Sequence, residues 1–79
     1  MVTIYSATWC SFCHATMQYM DKLGIKYEVK DVESSRENAE ESVAKSGQMG
    51  IPVVDVDGDI IVGFDRPKLD AAFKAHKLV

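Results

Sequence analysis

Cys10 and Cys13 are the only cysteines of the 79-residue chain, and they frame the tetrad Cys10-Ser11-Phe12-Cys13. Two side chains three residues apart on a helix lie on one face, so these sulfurs can bond with little backbone movement. The chemistry this suggests is thiol–disulfide exchange, in which a thiolate attacks a disulfide sulfur and passes through a mixed disulfide. A structural staple is the poorer account. A loop this small restrains little of the unfolded chain, and a reducing compartment would hold such a pair as thiols.

Other chemistries can use the same residues. Cys10-x-x-Cys13-His14 has the spacing of a c-type haem attachment site. That role needs export, an axial ligand and an apolar haem pocket. The opening Met1-Val2-Thr3-Ile4-Tyr5 has neither the basic start nor the long apolar run of an export leader. Zinc would have ligands enough in Cys10, Cys13, His14 and His76, but the adjacent Cys13 and His14 point apart on a helix, and no second C-x-x-C or H-x3-H pair exists. His14 is therefore read as an exposed helix residue and His76 as a partner for a helix C-terminus; no metal ligands are assigned. The net charge of −3, with no basic stripe, argues against a nucleic-acid partner. No apolar run is long enough to span a bilayer, so no membrane role and a cytoplasmic location are expected. The length suits one domain, residues 1–79, with no repeat, linker or low-complexity stretch.

A reactive thiol needs elements that hold it. Val2 to Ser6 alternates as a strand, Ala7 to Trp9 is its exit loop, and Cys13, Met17, Met20 and Leu23, with Thr16 beside them, have helical spacing up to Gly24. Cys10 then sits at a helix N-terminus, where free N–H groups and the helix dipole favour a thiolate. Position assigns the roles: Cys10 attacks, and Cys13, one turn inside, resolves. A monothiol route, with a small thiol such as glutathione resolving the adduct on Cys10, stands beside it.

Ile25 to Val32 reads as a second strand. Ser34 and Glu37 fit a capping box for a helix ending near Ser46 and Gly47, with a thin apolar face of Ala39, Val43 and Ala44; its acidic run, Glu37, Glu40 and Glu41, reads as a solvated face. Ile51 to Val56 and Asp59 to Val62 form a hairpin about Asp57-Gly58. Asp65 caps a last helix with Pro67 in its first turn, and Leu69, Ala72, Phe73 and His76 share one face. The helix between the first two strands makes them parallel, by a right-handed crossover, and a four-stranded mixed sheet with helices on its faces closes the structure.

Over nearly its whole length the chain resembles the glutaredoxin branch of the thioredoxin-fold family. The likeness is carried by Ile4-Tyr5-Ser6 ahead of the tetrad, by Ile51-Pro52-Val53 at the family's cis-proline position, and by Gly63-Phe64-Asp65 at its glycine–aromatic–aspartate turn. The resemblance implies an α/β, thioredoxin-like fold of order β-α-β-α-β-β-α, with three helices flanking the sheet. It implies an enzyme: a thiol–disulfide oxidoreductase reducing protein disulfides or glutathione mixed disulfides. Glutathione is the implied cosubstrate, no cofactor is held permanently, and the chain is expected to act as a monomer. Catalysis falls to Cys10 and Cys13. Trp9, Phe12, Ile51, Pro52, Gly63, Phe64 and Asp65 form the implied groove: Pro52 cis and facing the pair, the Ile51 backbone pairing with an extended peptide, Phe12 walling the thiol, and Asp65 with the N–H groups behind it receiving a γ-glutamyl end.

The departures from the pattern bear on the electron source. Ser11 replaces the tetrad proline, and Trp9 is similar to the thioredoxin residue. The lysine of glutathione-using members is missing around Ala7, which leaves Arg66 or Lys45 to hold the glycyl carboxylate; Val62-Gly63 replaces a double glycine and Arg66 a second aspartate. Gly63-Phe64-Asp65-Arg66-Pro67 also looks like the turn of redoxins that serve ribonucleotide reductase and draw electrons from thioredoxin reductase. That redoxin-type donor is one alternative, and an iron–sulfur or metal-binding module is another.

Overall fold

Strand and helix punctuation in this chain is set largely by single residues with special chemistry. The computed structural model describes residues 1–79, as β1 (Val2–Ser6), α1 (Ser11–Lys22), β2 (Tyr27–Asp31), α2 (Arg36–Ser46), β3 (Val53–Val56), β4 (Asp59–Val62) and α3 (Arg66–Ala75). The sheet order is β2-β1-β3-β4. β1 and β2 are parallel, with Ile4 opposite Val29, while β3 is antiparallel to both β1 and β4. This is the thioredoxin-like α/β architecture that the sequence implies.

α1 ends in a Schellman turn. Gly24 takes φ +73, its N–H donates to Asp21 C=O at 3.0 Å, and Ile25 N–H donates to Met20 C=O at 3.0 Å. Ile25 and Met20 then meet in the core. Ile25 is thus committed to ending the helix, and β2 begins at Tyr27 rather than at Ile25. β3 likewise begins at Val53 rather than Ile51, because Pro52 has no N–H to give a ladder. Asp57, at φ 52, and Gly58, at φ 105, make the hairpin turn. Asp65 Oδ1 accepts Lys68 N–H at 3.3 Å as the α3 cap.

The two faces of the sheet differ. α1 and α3 cover one of them, where Val2, Ile4, Val54, Val56 and Ile61 pack against Met20, Leu69 and Phe73. α2 covers the other, and the contact there is polar. Tyr5 is fully buried and its hydroxyl donates to Glu41; Lys30 Nζ donates to Glu41 Oε1 at 2.9 Å, and Lys45 Nζ to Asp55 Oδ2 at 2.6 Å.

Three expectations for α2 are corrected by this arrangement. Its cap is Ser35, whose Oγ accepts Asn38 N–H at 3.2 Å. Ser34 is held in the preceding turn, where Asp31 Oδ1 accepts the N–H groups of Glu33 and Ser34, at 2.8 and 3.2 Å, and the loop is one residue longer. The only buried α2 side chain is Ser42, while Val43 is exposed. Glu41 is not solvated with Glu37 and Glu40 but faces the sheet, because Tyr5, Lys30 and Asp55 offer polar partners there. No helix is long and apolar enough to cross a membrane.

Candidate active site

Parallel neighbours in a sheet release their chains at the same edge, so the exits of β1 and β2 stand side by side. After β1, the buried Ala7 turns the chain, its C=O accepting Cys10 N–H at 3.1 Å. Cys10 has the extended dihedrals of an N-cap, φ −84 and ψ 106, and its Sγ accepts Cys13 N–H at 3.2 Å. Sulfur here fills the place usually taken by a serine or aspartate oxygen. The first turn of α1 has no acidic side chain to offset its partial positive charge, so the full helix terminus acts on Cys10.

The two sulfurs are joined as a disulfide, with Cα atoms 5.2 Å apart, inside the span such a bridge covers. Cys13 has no exposed surface and Cys10 retains 6%. Behind them Ala7 completes a small apolar cluster, against which Met17, Val32 and Ile51 pack.

Cys10, and not Cys13, opens onto a groove of about 440 Å³. Its walls include Trp9 and Phe12 from the cysteine loop, Val32 and Glu33 from beyond β2, and Met49 and Ile51 from the segment before β3. Trp9, Phe12 and Met49 are 68%, 67% and 87% exposed. Large apolar groups uncovered beside a reactive sulfur mark a place where another molecule docks. Phe12 and Ile51 also border a second hollow, of about 290 Å³, with Pro52, Gly63 and Phe64. The Ile51–Pro52 peptide is cis, and Pro52 C=O accepts Gly63 N–H at 2.8 Å, tying the proline to the turn before α3. The turn, loop and cap hydrogen bonds use neither the N–H nor the C=O of Ile51.

Trp9, Cys10, Phe12, Ile51, Pro52, Gly63 and Phe64 are thus gathered around two adjoining hollows, while Cys13 lies beneath them. Asp65 lines neither hollow; its carboxylate is engaged as the α3 cap. Arg66 and Lys45 do not line the groove. Arg66 stacks over Tyr19, with 4.7 Å from Cζ to the ring centroid, and Lys45 is held by Asp55 and Glu41 beneath α2. His14 is exposed, a ring nitrogen 2.8 Å from Thr8 C=O; His76 is the α3 C-cap, Nε2 lying 2.8 Å from Asp59 Oδ2. No three His, Cys, Asp or Glu side chains converge as a metal site.

Glu33 and Met49 escaped the sequence reading as groove residues. A signal for Glu33 was present, because parallel pairing of β1 and β2 puts the residues after β2 beside the cysteine loop. Met49 carries no comparable signal, since its loop is placed only by tertiary packing.

Comparison with known proteins agrees with this geometry. The glutaredoxin family profile matches residues 2–61. A glutaredoxin-like 8.6 kDa protein of the rubredoxin operon of Clostridium pasteurianum is 36% identical over 70 residues, covering 89% of this chain and 93% of that one. The structure of the glutaredoxin-like NrdH-redoxin from Escherichia coli, described as having a thioredoxin-like activity profile, superposes with a TM-score of 0.78 at 30% identity, covering 89% and 91% of the two chains. The glutaredoxin of Archaeoglobus fulgidus shares the fold, with a TM-score of 0.83 at 23% identity over 91% of this chain and 84% of that one. With a cysteine pair at the strand–helix junction and a family match over most of its length, the chain belongs to the glutaredoxins, a family of thiol–disulfide oxidoreductases.

Proposed function

We propose that this chain reduces disulfides of protein partners through a two-cysteine cycle and is itself reduced by a flavoprotein of the thioredoxin reductase class. The two-cysteine cycle is supported by Cys10 as an N-cap, its Sγ accepting the Cys13 N–H at the mouth of an apolar groove, and the choice of electron source by the likeness to the NrdH-redoxin. In the reduced chain Cys10 is the thiolate. It attacks one sulfur of the partner disulfide, forms a mixed disulfide and expels a thiolate that takes up a proton. Cys13 gives up its proton, attacks Cys10 Sγ and releases the second partner thiol. Two electrons pass to the partner, and Cys10–Cys13 is left as the disulfide. The Ile51 backbone offers an N–H and a C=O to an extended segment of the partner, as in strand addition.

Reduction by glutathione is the second reading. It is favoured by the turn before α3, where Gly63 and Phe64 border the hollow next to Cys10's groove and a helix N-terminus follows. Against it stands the lack of a cation along either hollow, although glutathione carries two carboxylates.

A coupled assay separates the two. With a protein disulfide such as that of insulin as the electron acceptor, NADPH consumption is followed with thioredoxin reductase in one arm, and with glutathione and its reductase in the other. Turnover with thioredoxin reductase alone is the expected result; turnover only with glutathione reverses the assignment. No turnover in either arm by folded protein removes the reductase reading.

A further inference from the structure

We infer that Glu33 is a specificity-determining residue, which makes the groove at Cys10 accept disulfides flanked by cationic or neutral groups and disfavour anionic ones. The inference rests on the reductase reading and names the substrate chemistry of that site.

Glu33 lies two residues beyond β2, in the loop brought beside Cys10 by the parallel pairing of β1 and β2. Apart from Cys10, it is the only ionisable residue along the groove. Its place is held from both ends. Glu33 N–H donates to Asp31 Oδ1 at 2.8 Å, and the indole Nε1–H of Trp9 donates to Glu33 Oε1. The carboxylate is thereby tied to the residue preceding the nucleophile.

No lysine, arginine or histidine nitrogen lies within 4 Å of its carboxylate. Lys30 and Lys45 are paired with Glu41 and Asp55 beneath α2, Arg36 is paired with Glu40, and Lys68 lies 3.9 Å from Asp65. Arg66 covers Tyr19. The groove therefore joins apolar walls to one fixed negative charge, in a chain of net charge −3. Charge at the rim of a site acts on encounter and orientation, and salt screens it. A partner cysteine flanked by lysine or arginine and an apolar residue meets both features. A small thiol with carboxylates at both ends meets repulsion.

The test uses the reduced full-length chain and three small symmetrical disulfides: cationic cystamine, neutral hydroxyethyl disulfide and anionic dithiodipropionate. Rates of thiol loss at low salt are each divided by the rate of the same disulfide with dithiothreitol, which removes intrinsic reactivity and the general preference of thiolates for cations. The corrected cation-to-anion ratio is expected to be about tenfold, the scale of one partly exposed charge acting on a doubly charged ligand. It should fall close to one in Glu33→Gln, drop below one in Glu33→Lys, and collapse in molar salt.

Glutamine keeps a carbonyl oxygen for the Trp9 indole, so Glu33→Gln isolates charge. If Glu33 only braced Trp9, substitution would slow all three disulfides alike and leave the ratio unchanged. An equal corrected ratio in wild type and Glu33→Gln overturns the inference while the reductase reading stands. Failure of reduced wild type with all three disulfides brings down that reading and the inference together.

Discussion

Replacing Glu41 by glutamine tests how far the polar layer beneath α2 stabilises the fold. Hydrogen bonds from the Tyr5 hydroxyl, first, and from Lys30 lower the Glu41 carboxyl from 4.5 to about 2. A carboxyl depressed on folding contributes stability that is present above its unfolded value and lost as pH falls through its folded one. The window here runs from about 4.5 down to about 2. At about 1.36 kcal/mol per pH unit the ceiling over that window is about 3 kcal/mol. The side chain is 33% exposed, and solvent screening reduces the realistic contribution to about 1–2 kcal/mol. Urea unfolding followed by far-ultraviolet circular dichroism should therefore place wild type about 1–2 kcal/mol above Glu41→Gln at pH 7. Since a protonated glutamate resembles glutamine, the gap should close toward zero near pH 2. Tyr5→Phe keeps the buried ring and deletes the largest cause of the shift, so it should cost about 1 kcal/mol at pH 7 and flatten the acid limb. A gap of the same size at pH 7 and pH 2.5 would refute the argument, because the variant's cost would then have nothing to do with the ionised carboxylate.

Cys10→Ser should abolish disulfide exchange in a stopped assay of thiol release. Cys13→Ser should still form a mixed disulfide on Cys10, visible by mass spectrometry, but stall without an added thiol; equal loss of the first step in both variants would contradict the assigned roles. Phe73→Ala removes a fully buried ring from the α1–α3 face and should cost about 3–5 kcal/mol, read as a large drop in the urea midpoint. Asp65→Ala should cost about 1 kcal/mol as a lost helix cap, and a change under about 0.3 kcal/mol would show that the cap contributes little beside the rest of the first turn. Gly47, at φ +73, should lose about 1 kcal/mol on substitution by alanine, measured in the same way.

The features legible in the sequence were those decided by a few neighbouring residues. Asp57-Gly58 specified the hairpin and Asp65 with Pro67 the start of α3, because turn and cap chemistry act within three or four residues. The tetrad was legible as chemistry because its spacing and its place before a helical pattern coincide. The errors arose where a competing group, near or far along the chain, displaced the expected one. Ser34 has the right spacing for a capping box, yet Asp31 takes its N–H and Ser35 caps instead. Val43 has the apolar character of an inward residue, yet the sheet face under α2 carries Tyr5, Lys30 and Asp55, and Glu41 turns in to meet them. Ile25 and Ile51 read as strand residues, but one closes a helix and the other precedes a proline. The groove was half visible: Trp9, Phe12 and Ile51 lay within recognisable motifs, whereas Glu33 and Met49 join it only once the strands pair.

The hydrogen bond from Cys13 N–H to Cys10 Sγ ties catalysis to the mechanical integrity of α1. An N-cap sulfur accepts more strongly as a thiolate than as half of a disulfide, so reduction tightens the first turn of the helix that holds it. Oxidation, reduction, folding and unfolding then form one thermodynamic cycle. The difference in unfolding free energy between the two redox forms must equal the difference in reduction potential between the folded pair and the same pair in the open chain, at about 30 mV for each 1.4 kcal/mol. Unfolding the two redox forms in denaturant therefore gives the potential of the folded pair relative to the same pair in the open chain, and any substitution that loosens the start of α1 in one redox form more than in the other will shift it.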